Sequence, residues 1–399
     1  MAPQTEVLLI AVVVAAACAL PGVFLVLRQM SLMSDAISHS VLLGIVIGFF
    51  ITGHLDSPLL LILAAGTGVL TVSLVELLHR TQLVKEDAAI GIVFPALFSL
   101  AVILITRYAG NVHLDQDVVL LGEIALAPFD RVTLFGLSLP YSLVVMGTIL
   151  TITLSVIVIF YKELKISTFD PGLAAALGFS PGLLHYGLMS LTSIIAVGAF
   201  DAVGAILVVA LMIVPPATAY LLTDQLFFML IISFLVGIVS AVSGYGVAIK
   251  FDASIAGAMA MMTGTCFLLT FLLAPQRGLL AIFYRRFRQK FLFAQQVLLT
   301  HLVNHEGIPS NEEEDAKHMK ISTAKSRGIN PIFPLGKSDQ CHLHQLHHYL
   351  CWDIDFTYKI VNQVQKQGLV QIENEVLRLT NSGRQITTQT FIQRFGGNL

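Results

Sequence analysis

The sequence predicts an all-α polytopic membrane protein with eight or nine transmembrane helices and a small cytoplasmic C-terminal domain. Three observations predict this class. The 399 residues are 56% hydrophobic and only 12% charged, which is too apolar for a soluble protein of this length. Apolar runs of about 20 residues, the length that crosses a bilayer, recur before residue 280. Most Lys and Arg side chains lie in residues 285–399, so the polar part of the chain comes last.

Nine apolar runs are candidate spans. They are residues 6–27, 36–52, 57–78, 88–106, 139–161, 187–200, 203–222, 226–248 and 254–274. The run 187–200 is short, so it is either a full span or half of a broken helix. Prolines at 21, 95 and 215 predict either ordinary kinks or broken helices that line a pathway.

The positions of Lys and Arg predict the orientation of the spans. Basic residues cluster in the loop with Arg80 and Lys85, in the loop with Lys162 and Lys165, and in residues 285–290. Because basic loops stay on the cytoplasmic side, nine spans put the N-terminus outside and the tail inside. Residues 107–138 then form the main extracytoplasmic loop.

The change in polarity divides the chain into three parts. Residues 1–284 are the membrane domain, residues 285–340 a basic and polar linker, and residues 341–399 a soluble cytoplasmic domain. Alternating apolar residues around Glu373 predict a β-hairpin after a helix. Helix, helix, hairpin and closing helix is the pattern of a winged helix.

Asp35 lies directly before the second apolar run, and His39 lies inside it. Ionisable side chains in lipid cost at least about 2–3 kcal/mol each, so they mark a functional site by default. At a spacing of four residues they share one helix face, and carboxylate with imidazole is a ligand set for divalent transition metals. The alternative is structural: Asp35 caps the second helix and His39 is merely hydrogen-bonded.

A short helix is predicted between the fifth and sixth runs. Asp170 fits the N-cap, Pro171 the first helical position, and Gly178 the position after the helix. One interpretation is a plain connecting helix. The other is a coupling helix that docks into an ATPase subunit.

Several segments resemble, in order, the zinc/manganese/iron uptake permeases of the ABC-transporter superfamily. They are Gly22–Arg28 with Met30–His39, Glu86–Gly91, Lys162–Asp170, Ala174–Gly178 and Ala202–Ala219. Ser34 stands where that family usually has Gly. The resemblance implies a homo- or heterodimeric permease of the bacterial cytoplasmic (inner) membrane, with a cytoplasmic ATP-binding subunit and an extracytoplasmic metal-binding protein.

The resemblance also implies roles for individual residues. Asp35 and His39 become the metal site, and the cargo is Mn²⁺, Zn²⁺ or Fe²⁺, with no permanently bound cofactor. The implied coupling element consists of Phe169, Asp170, Pro171, Gly172, Ala175 and Gly178. Asp201, near a predicted membrane edge, is either a second pathway ligand or a plain interface residue.

The tail resembles the winged helix of metal-dependent repressors of the diphtheria-toxin-repressor type, through Tyr358–Val370 and Leu377–Arg384. Its mixed charge argues against nucleic acid as a partner, so a regulatory or protein-contact module is expected. Cys341, His344, His347 and His348 are candidate metal ligands there, or simply lie on a half-exposed helix.

The preferred hypothesis is therefore the membrane subunit of an ATP-driven importer of a divalent metal, embedded in lipid. The sequence has no Gly-x4-Gly-Lys-Ser/Thr loop, so ATP is expected to be hydrolysed by another chain and this chain is not an enzyme. Two alternatives stay open. One is an ion-coupled secondary carrier that uses Asp35 and His39 as a proton relay. The other is a membrane-tethered metal-responsive regulator.

Overall fold

The computed structural model describes residues 3–53, 58–108, 124–134, 137–306, 343–373 and 376–385. The chain forms two compact units, residues 1–281 and residues 282–399. In the first unit the helices are α1 (Pro3–Leu27), α2 (Ser31–Thr52), α3 (Pro58–Arg80), α4 (Glu86–Tyr108), α5 (Tyr141–Ile159), α6 (Tyr161–Phe169), α7 (Pro171–Ala176), α8 (Pro181–Val203), α9 (Ala205–Leu222), α10 (Leu226–Phe251) and α11 (Ile255–Leu273).

Nine helices within the described residues are long and apolar enough to cross a membrane: α1–α5 and α8–α11. The predicted fold class and count are confirmed, at the higher of the two numbers. The run 187–200 is not half of a broken helix, because α8 is continuous from Pro181 to Val203. The helices also continue through Pro21, Pro95 and Pro215.

The α8–α9 corner depends on Gly204. Its backbone has φ of 80° and ψ of 162°, a combination that essentially only glycine adopts. The corner lets α9 begin directly after α8 ends. Two separate spans therefore follow each other with no loop between them.

Helix α1 is the most enclosed span. In the most apolar 18-residue stretch of α1, 78% is buried, whereas the buried share of the corresponding stretch is 22–56% in the other eight spans. Small side chains allow neighbouring backbones to approach it, as is usual for helix packing in lipid. A Cβ on Gly22 would collide with the carbonyl oxygen of Met212 on α9. On the α10 side, the Ser233 hydroxyl donates to the Ala19 carbonyl at 3.2 Å.

Helix α2 packs just as closely against α3. A Cβ on Gly44 would lie 2.6 Å from the Ala64 Cα, so only glycine fits at this contact. The Thr71 hydroxyl donates to Ser40 Oγ at 2.7 Å. The helix that carries Asp35 and His39 is thus held against its neighbour along one side.

A short β-hairpin was not predicted. Strands β1 (Arg131–Leu134) and β2 (Leu137–Pro140) pair antiparallel between α4 and α5, with Arg131 opposite Pro140. Arg131 donates to the buried Glu6 carboxylate at 2.8 Å and so ties the hairpin to α1. This contact lies on the predicted outer side of the membrane unit.

The second unit has its own hydrophobic core. It contains most of α12 (Leu279–Glu306), then α13 (Leu343–Tyr349), α14 (Ile354–Lys366), strand β3 (Val370–Glu373) and strand β4 (Val376–Leu379). Residues 285–306, which the sequence assigned to a linker, lie in α12. Leu298 and Leu302 of α12 belong to the same core as Leu346, Val364 and Leu377.

The β-hairpin predicted around Glu373 is present, with Val370 opposite Leu379. Residues 381–385 then form a helical turn. The order of elements is the one the sequence indicated, while the assignment of the tail as a winged helix stays a prediction.

The contact between α1 and α9 yields a test of the packing. Gly22→Val is expected to lower the melting temperature of the purified protein in detergent, because forcing a side chain into a closed contact costs about 1–3 kcal/mol. Gly147→Val is the matched control, since nothing lies within 4 Å of a Cβ there. Equal melting temperatures for the two variants would contradict the close approach of α1 and α9.

Candidate metal site and coupling segment

Asp35 and His39 lie on the same face of α2. The carboxylate Oδ1 of Asp35 is 3.5 Å from Nε2 of His39. Helix α2 begins at Ser31, and its cap position is Met30, which makes no side-chain cap hydrogen bond. Asp35 is in the second turn, so the interpretation of Asp35 as the helix cap is wrong.

Two aromatic rings of α4 hold the imidazole of His39. The Phe94 ring stacks on it with 5.8 Å between ring centroids, and Phe98 meets it edge-on at 6.1 Å. These contacts restrict rotation of the imidazole and leave its Nε2 beside the carboxylate. The ring nitrogen and the Asp35 oxygen are therefore presented together, as a pair of metal ligands has to be.

Among the described residues, Asp35 and His39 have no third candidate metal ligand beside them. The side chain of Asp35 is 42% exposed and that of His39 is 31% exposed. In the described part of the chain, no group of three His, Cys, Asp or Glu side chains is placed to hold a metal ion. Two protein ligands leave several coordination positions for water or for a second subunit.

Asp201 is the third predicted pathway residue. It lies in the last turn of α8, three residues before Gly204. Its side chain is outside the described residues, so its approach to the pathway stays a prediction.

The segment predicted to couple has the expected local structure. Helix α6 ends at Phe169, the Asp170 carboxylate accepts from the Leu173 N–H at 2.9 Å, and Pro171 opens α7. Gly178 follows with φ of +88°. Gly172 and Ala175 lie on α7 between these ends.

The coupling segment also presents an apolar surface. Phe169, Leu173 and Leu177 are each at least half exposed. Exposed apolar side chains on a capped, rigid short helix suit a contact with another protein. The role of the segment in coupling stays a prediction.

Arg28 connects the coupling segment with the transmembrane helices, and sequence reasoning missed this. Its Nε donates to Thr168 Oγ1 at 3.3 Å, and its two terminal nitrogens donate to Ser167 Oγ at 3.2 Å and His185 Nδ1 at 3.3 Å. Burial lowers the pKa of Arg28 from its ordinary value. The guanidinium still stays charged, because an arginine side chain is not deprotonated in proteins.

The contacts continue from His185 to the end of α3. His185 Nε2 lies 3.7 Å from Glu76 Oε2, and Arg80 donates to Glu76 Oε1 at 2.6 Å. Glu76 and Arg80 are one helical turn apart, but His185 is more than 100 residues from Glu76, so no local spacing could reveal that contact. The available clue was an arginine placed between two apolar runs.

A polar contact also joins α2 to α9. The Ser34 hydroxyl donates to the Met212 sulfur at 2.9 Å, and both side chains are buried. The residue that departs from the family's usual glycine thus packs directly beside Asp35. It fills the space where α9 passes α2.

The candidate ligands of the tail are only partly described. His347 and His348 lie on α13 with ring centroids 6.4 Å apart. Cys341 and the side chain of His344 are outside the described residues. Metal binding by the tail therefore stays a prediction.

Comparison with known proteins identifies the family. The model of the ABC 3 transport family matches residues 4–274. The chain belongs to the ABC 3 transport family. The family predicted from the segment resemblances is confirmed, and the chain is a multi-pass membrane permease.

Two curated relatives are similar over different lengths. The zinc transport system membrane protein TroD of Treponema pallidum (strain Nichols) is 47% identical over 378 residues, 95% of this chain and 96% of the relative. The manganese transport system membrane protein MntD of Bacillus subtilis (strain 168) is 50% identical over 270 residues, 67% of this chain and 91% of the relative. Among solved structures, PsaBC from Streptococcus pneumoniae in complex with Fab has a TM-score of 0.58 at 32% identity, covering 69% of this chain and 94% of that chain.

The cap of α7 yields a second test. Asp170→Ala is expected to raise hydrogen exchange of residues 171–177 about fivefold, because loss of an N-cap costs about 1 kcal/mol. Asp170→Asn should exchange like the parent, since the amide oxygen also accepts from the Leu173 N–H. Exchange that is equal in all three proteins would mean that the cap does not hold the helix.

Proposed function

We propose that this chain is the transmembrane permease subunit of an ATP-driven importer of Mn²⁺ or Zn²⁺, and that Asp35 and His39 contact the ion as it crosses. The prediction of a permease in an ABC metal transport system is confirmed by the family and by the two relatives, which are named for zinc and for manganese transport. Transport of Fe²⁺ stays a prediction.

The observation that carries the proposed site is the Asp35–His39 pair itself. A carboxylate oxygen and an imidazole nitrogen lie 3.5 Å apart within a span, and both side chains remain partly open. An ionisable pair within a span costs free energy, and its presence there supports a functional role. A transported ion must also leave, so a site with two fixed ligands and exchangeable remaining positions suits transport better than a closed cage.

The choice between Mn²⁺ and Zn²⁺ does not follow from the ligand pair. Oxygen and nitrogen ligands accept both ions, and selection depends on geometry and on metal availability as well as on affinity. A second permease subunit facing the open side of the pair would complete the coordination. We therefore propose a homo- or heterodimer, in which the second subunit determines part of the selectivity.

The remaining partners follow from the same assignment. Basic residues near the ends of α3 and α5 support a cytoplasmic position for these ends, where an ATP-binding subunit would contact α7. An extracytoplasmic metal-binding protein would deliver the ion on the opposite side. Localisation in the bacterial cytoplasmic membrane and the absence of enzymatic activity in this chain belong to the proposal.

The mechanism that fits these parts is alternating access. ATP binding by the partner subunits moves the coupling segment, and the spans open alternately toward the two sides around Asp35 and His39. The pair itself needs no change of protonation to release the ion. Opening to the cytoplasm supplies water ligands that replace the protein ligands.

The tail is an accessory to transport in this proposal. The match to MntD covers 91% of that relative within 270 residues, whereas the match to TroD, at 378 residues, takes in most of the tail. Two thirds of this chain thus match nearly the whole length of MntD. We propose a regulatory or protein-contact role for residues 282–399.

Substitution of the two ligands tests the site. Asp35→Asn and His39→Gln, each co-expressed with the ATP-binding partner, are expected to lower uptake of one metal about tenfold or more, the effect of losing about 1.4 kcal/mol of ion contact. The measurement is cellular Mn²⁺ and Zn²⁺ accumulation at low external metal. Asp252→Asn is the control, because Asp252 lies at the C-terminal end of α10 in a left-handed conformation that Asn also adopts. Uptake that persists in both ligand variants would remove the pair from the pathway.

Co-expression also separates the two classes of carrier. The permease requires the ATP-binding partner, whereas a secondary carrier would accumulate metal without it. Uptake by the chain alone would favour the proton-relay alternative.

Truncation tests the accessory role of the tail. A chain that ends after Tyr284 is expected to retain uptake within about twofold, because the membrane unit has its own core. A cut after residue 300 is less suitable, because it would leave Leu298 and Leu299 exposed without their core partners. Loss of uptake with normal amounts of protein in the membrane would make the tail part of the transport machinery.

A further inference from the structure

Arg28 lies between the coupling segment and the helix that carries the metal ligands. We propose that Arg28 is a positioning residue that transmits movement of the coupling segment to α2, an inference that deepens the proposed function and rests on it. The proposal depends on which groups the guanidinium touches and on how tightly its backbone is tied to α2.

The side chain of Arg28 bonds to two separate parts of the membrane unit. Ser167 and Thr168, which receive two of its hydrogen bonds, are the two residues before Phe169, where the coupling segment begins. His185 is the third partner and belongs to the first turns of α8. Because the guanidinium is planar and its donors are rigidly arranged, movement of Ser167 and Thr168 displaces the whole group.

The backbone of Arg28 joins the end of α1 to the start of α2. Only Gln29 and Met30 separate it from Ser31, where α2 begins. The Arg28 N–H donates to the Phe24 carbonyl at 3.0 Å, and the Met30 N–H donates to the Leu25 carbonyl at 2.9 Å. Asp35 lies four residues into α2, about 6 Å along the helix axis from its start. These hydrogen bonds hold the turn to the end of α1, and the two-residue connection is short enough for a displacement of Arg28 to reach the start of the helix that carries Asp35.

The contact with His185 extends the connection to α3. An arginine only donates, so His185 Nδ1 must accept, which leaves the proton of the neutral ring on Nε2. That nitrogen faces Glu76 Oε2 at 3.7 Å, and Glu76 is held in turn by Arg80. Moving Arg28 releases His185 and Glu76 together, next to a cavity of about 210 Å³ lined by Met30, Met33 and His79 among others.

Partial burial makes it unfavourable to separate the Arg28 guanidinium from Ser167 and Thr168. A partly buried guanidinium that loses its hydroxyl partners is left with unsatisfied donors, which is more unfavourable than following them. When the coupling segment moves, the conformation with the lowest free energy is therefore one in which Arg28 moves with it. A neutral side chain at this position has no such requirement.

The test separates ATP hydrolysis from transport. The complete complex with its ATP-binding partner is compared as wild type, Arg28→Ala, Arg28→Lys and the double variant Ser167→Ala/Thr168→Val. Arg28→Ala is expected to hydrolyse ATP at about the wild-type rate while uptake per ATP falls about tenfold, within the usual range of coupling between sites. Lys keeps the charge but not the three-way fork, so it should restore uptake only in part. Arg107→Ala, an exposed arginine at the other end of a span, is the control.

The double variant makes the test independent of any effect on folding of Arg28→Ala. Removing the two hydroxyls leaves Arg28 in place but takes away its link to the coupling segment. Its defect should match that of Arg28→Ala, and combining all three substitutions should add nothing further. Additive defects would overturn the proposal.

A metal-independent measurement distinguishes failure of this inference from failure of the proposed function. Spin labels at Leu177→Cys on the coupling segment and at Ile51→Cys on α2 report nucleotide-dependent changes in mobility, with Cys266, Cys341 and Cys351 replaced by Ser. In Arg28→Ala the label at 177 should still respond to ATP and the label at 51 should not. If both labels respond as in wild type, or if neither does, Arg28 is not the connection. Absence of Mn²⁺ and Zn²⁺ uptake in wild type would refute the proposed function and leave the label result to decide on Arg28.

Discussion

A carboxylate and an imidazole inside a membrane-crossing helix carry a cost of at least about 2–3 kcal/mol each, and the structure around α2 offsets it. The two groups contact each other at 3.5 Å, and the imidazole packs between Phe94 and Phe98. Glycine at position 44 lets α3 approach the opposite side of α2. The helix is therefore closely packed on one side, while Asp35 and His39 stay partly exposed on the other, an arrangement that agrees with the proposed ion contact.

In the proposed importer, an ATP-hydrolysing partner outside the membrane has to act on this helix. The described residues include the capped short helix α7 and an arginine, just before α2, that donates to Ser167 and Thr168 at the end of α6 and to His185 of α8. Each feature is ordinary on its own. Together they connect the end of α6, directly before α7, with the turn that precedes α2 through the hydrogen bonds of one guanidinium.

Local sequence patterns were enough to predict most of the helices and strands, but not the contacts between them. The spans, the cap at Asp170 and the tail hairpin followed from apolar run length, capping chemistry and alternation. The hairpin at Arg131 was missed because the strands are only four residues long. The Arg28 contacts were missed because Ser167, Thr168 and His185 are about 140–157 residues away, and only the packing of the spans brings them together.

The corner at Gly204 has a consequence for how sequences of this fold can vary. Residues other than glycine rarely adopt its φ of 80° and ψ of 162°. Any mutation that replaces this glycine therefore places a strained residue at a buried turn between two spans. A second substitution nearby cannot easily relieve this backbone strain, because no loop separates α8 from α9. Glycine should therefore be retained at position 204 even in sequences where Asp35 and His39 have been exchanged for other residues.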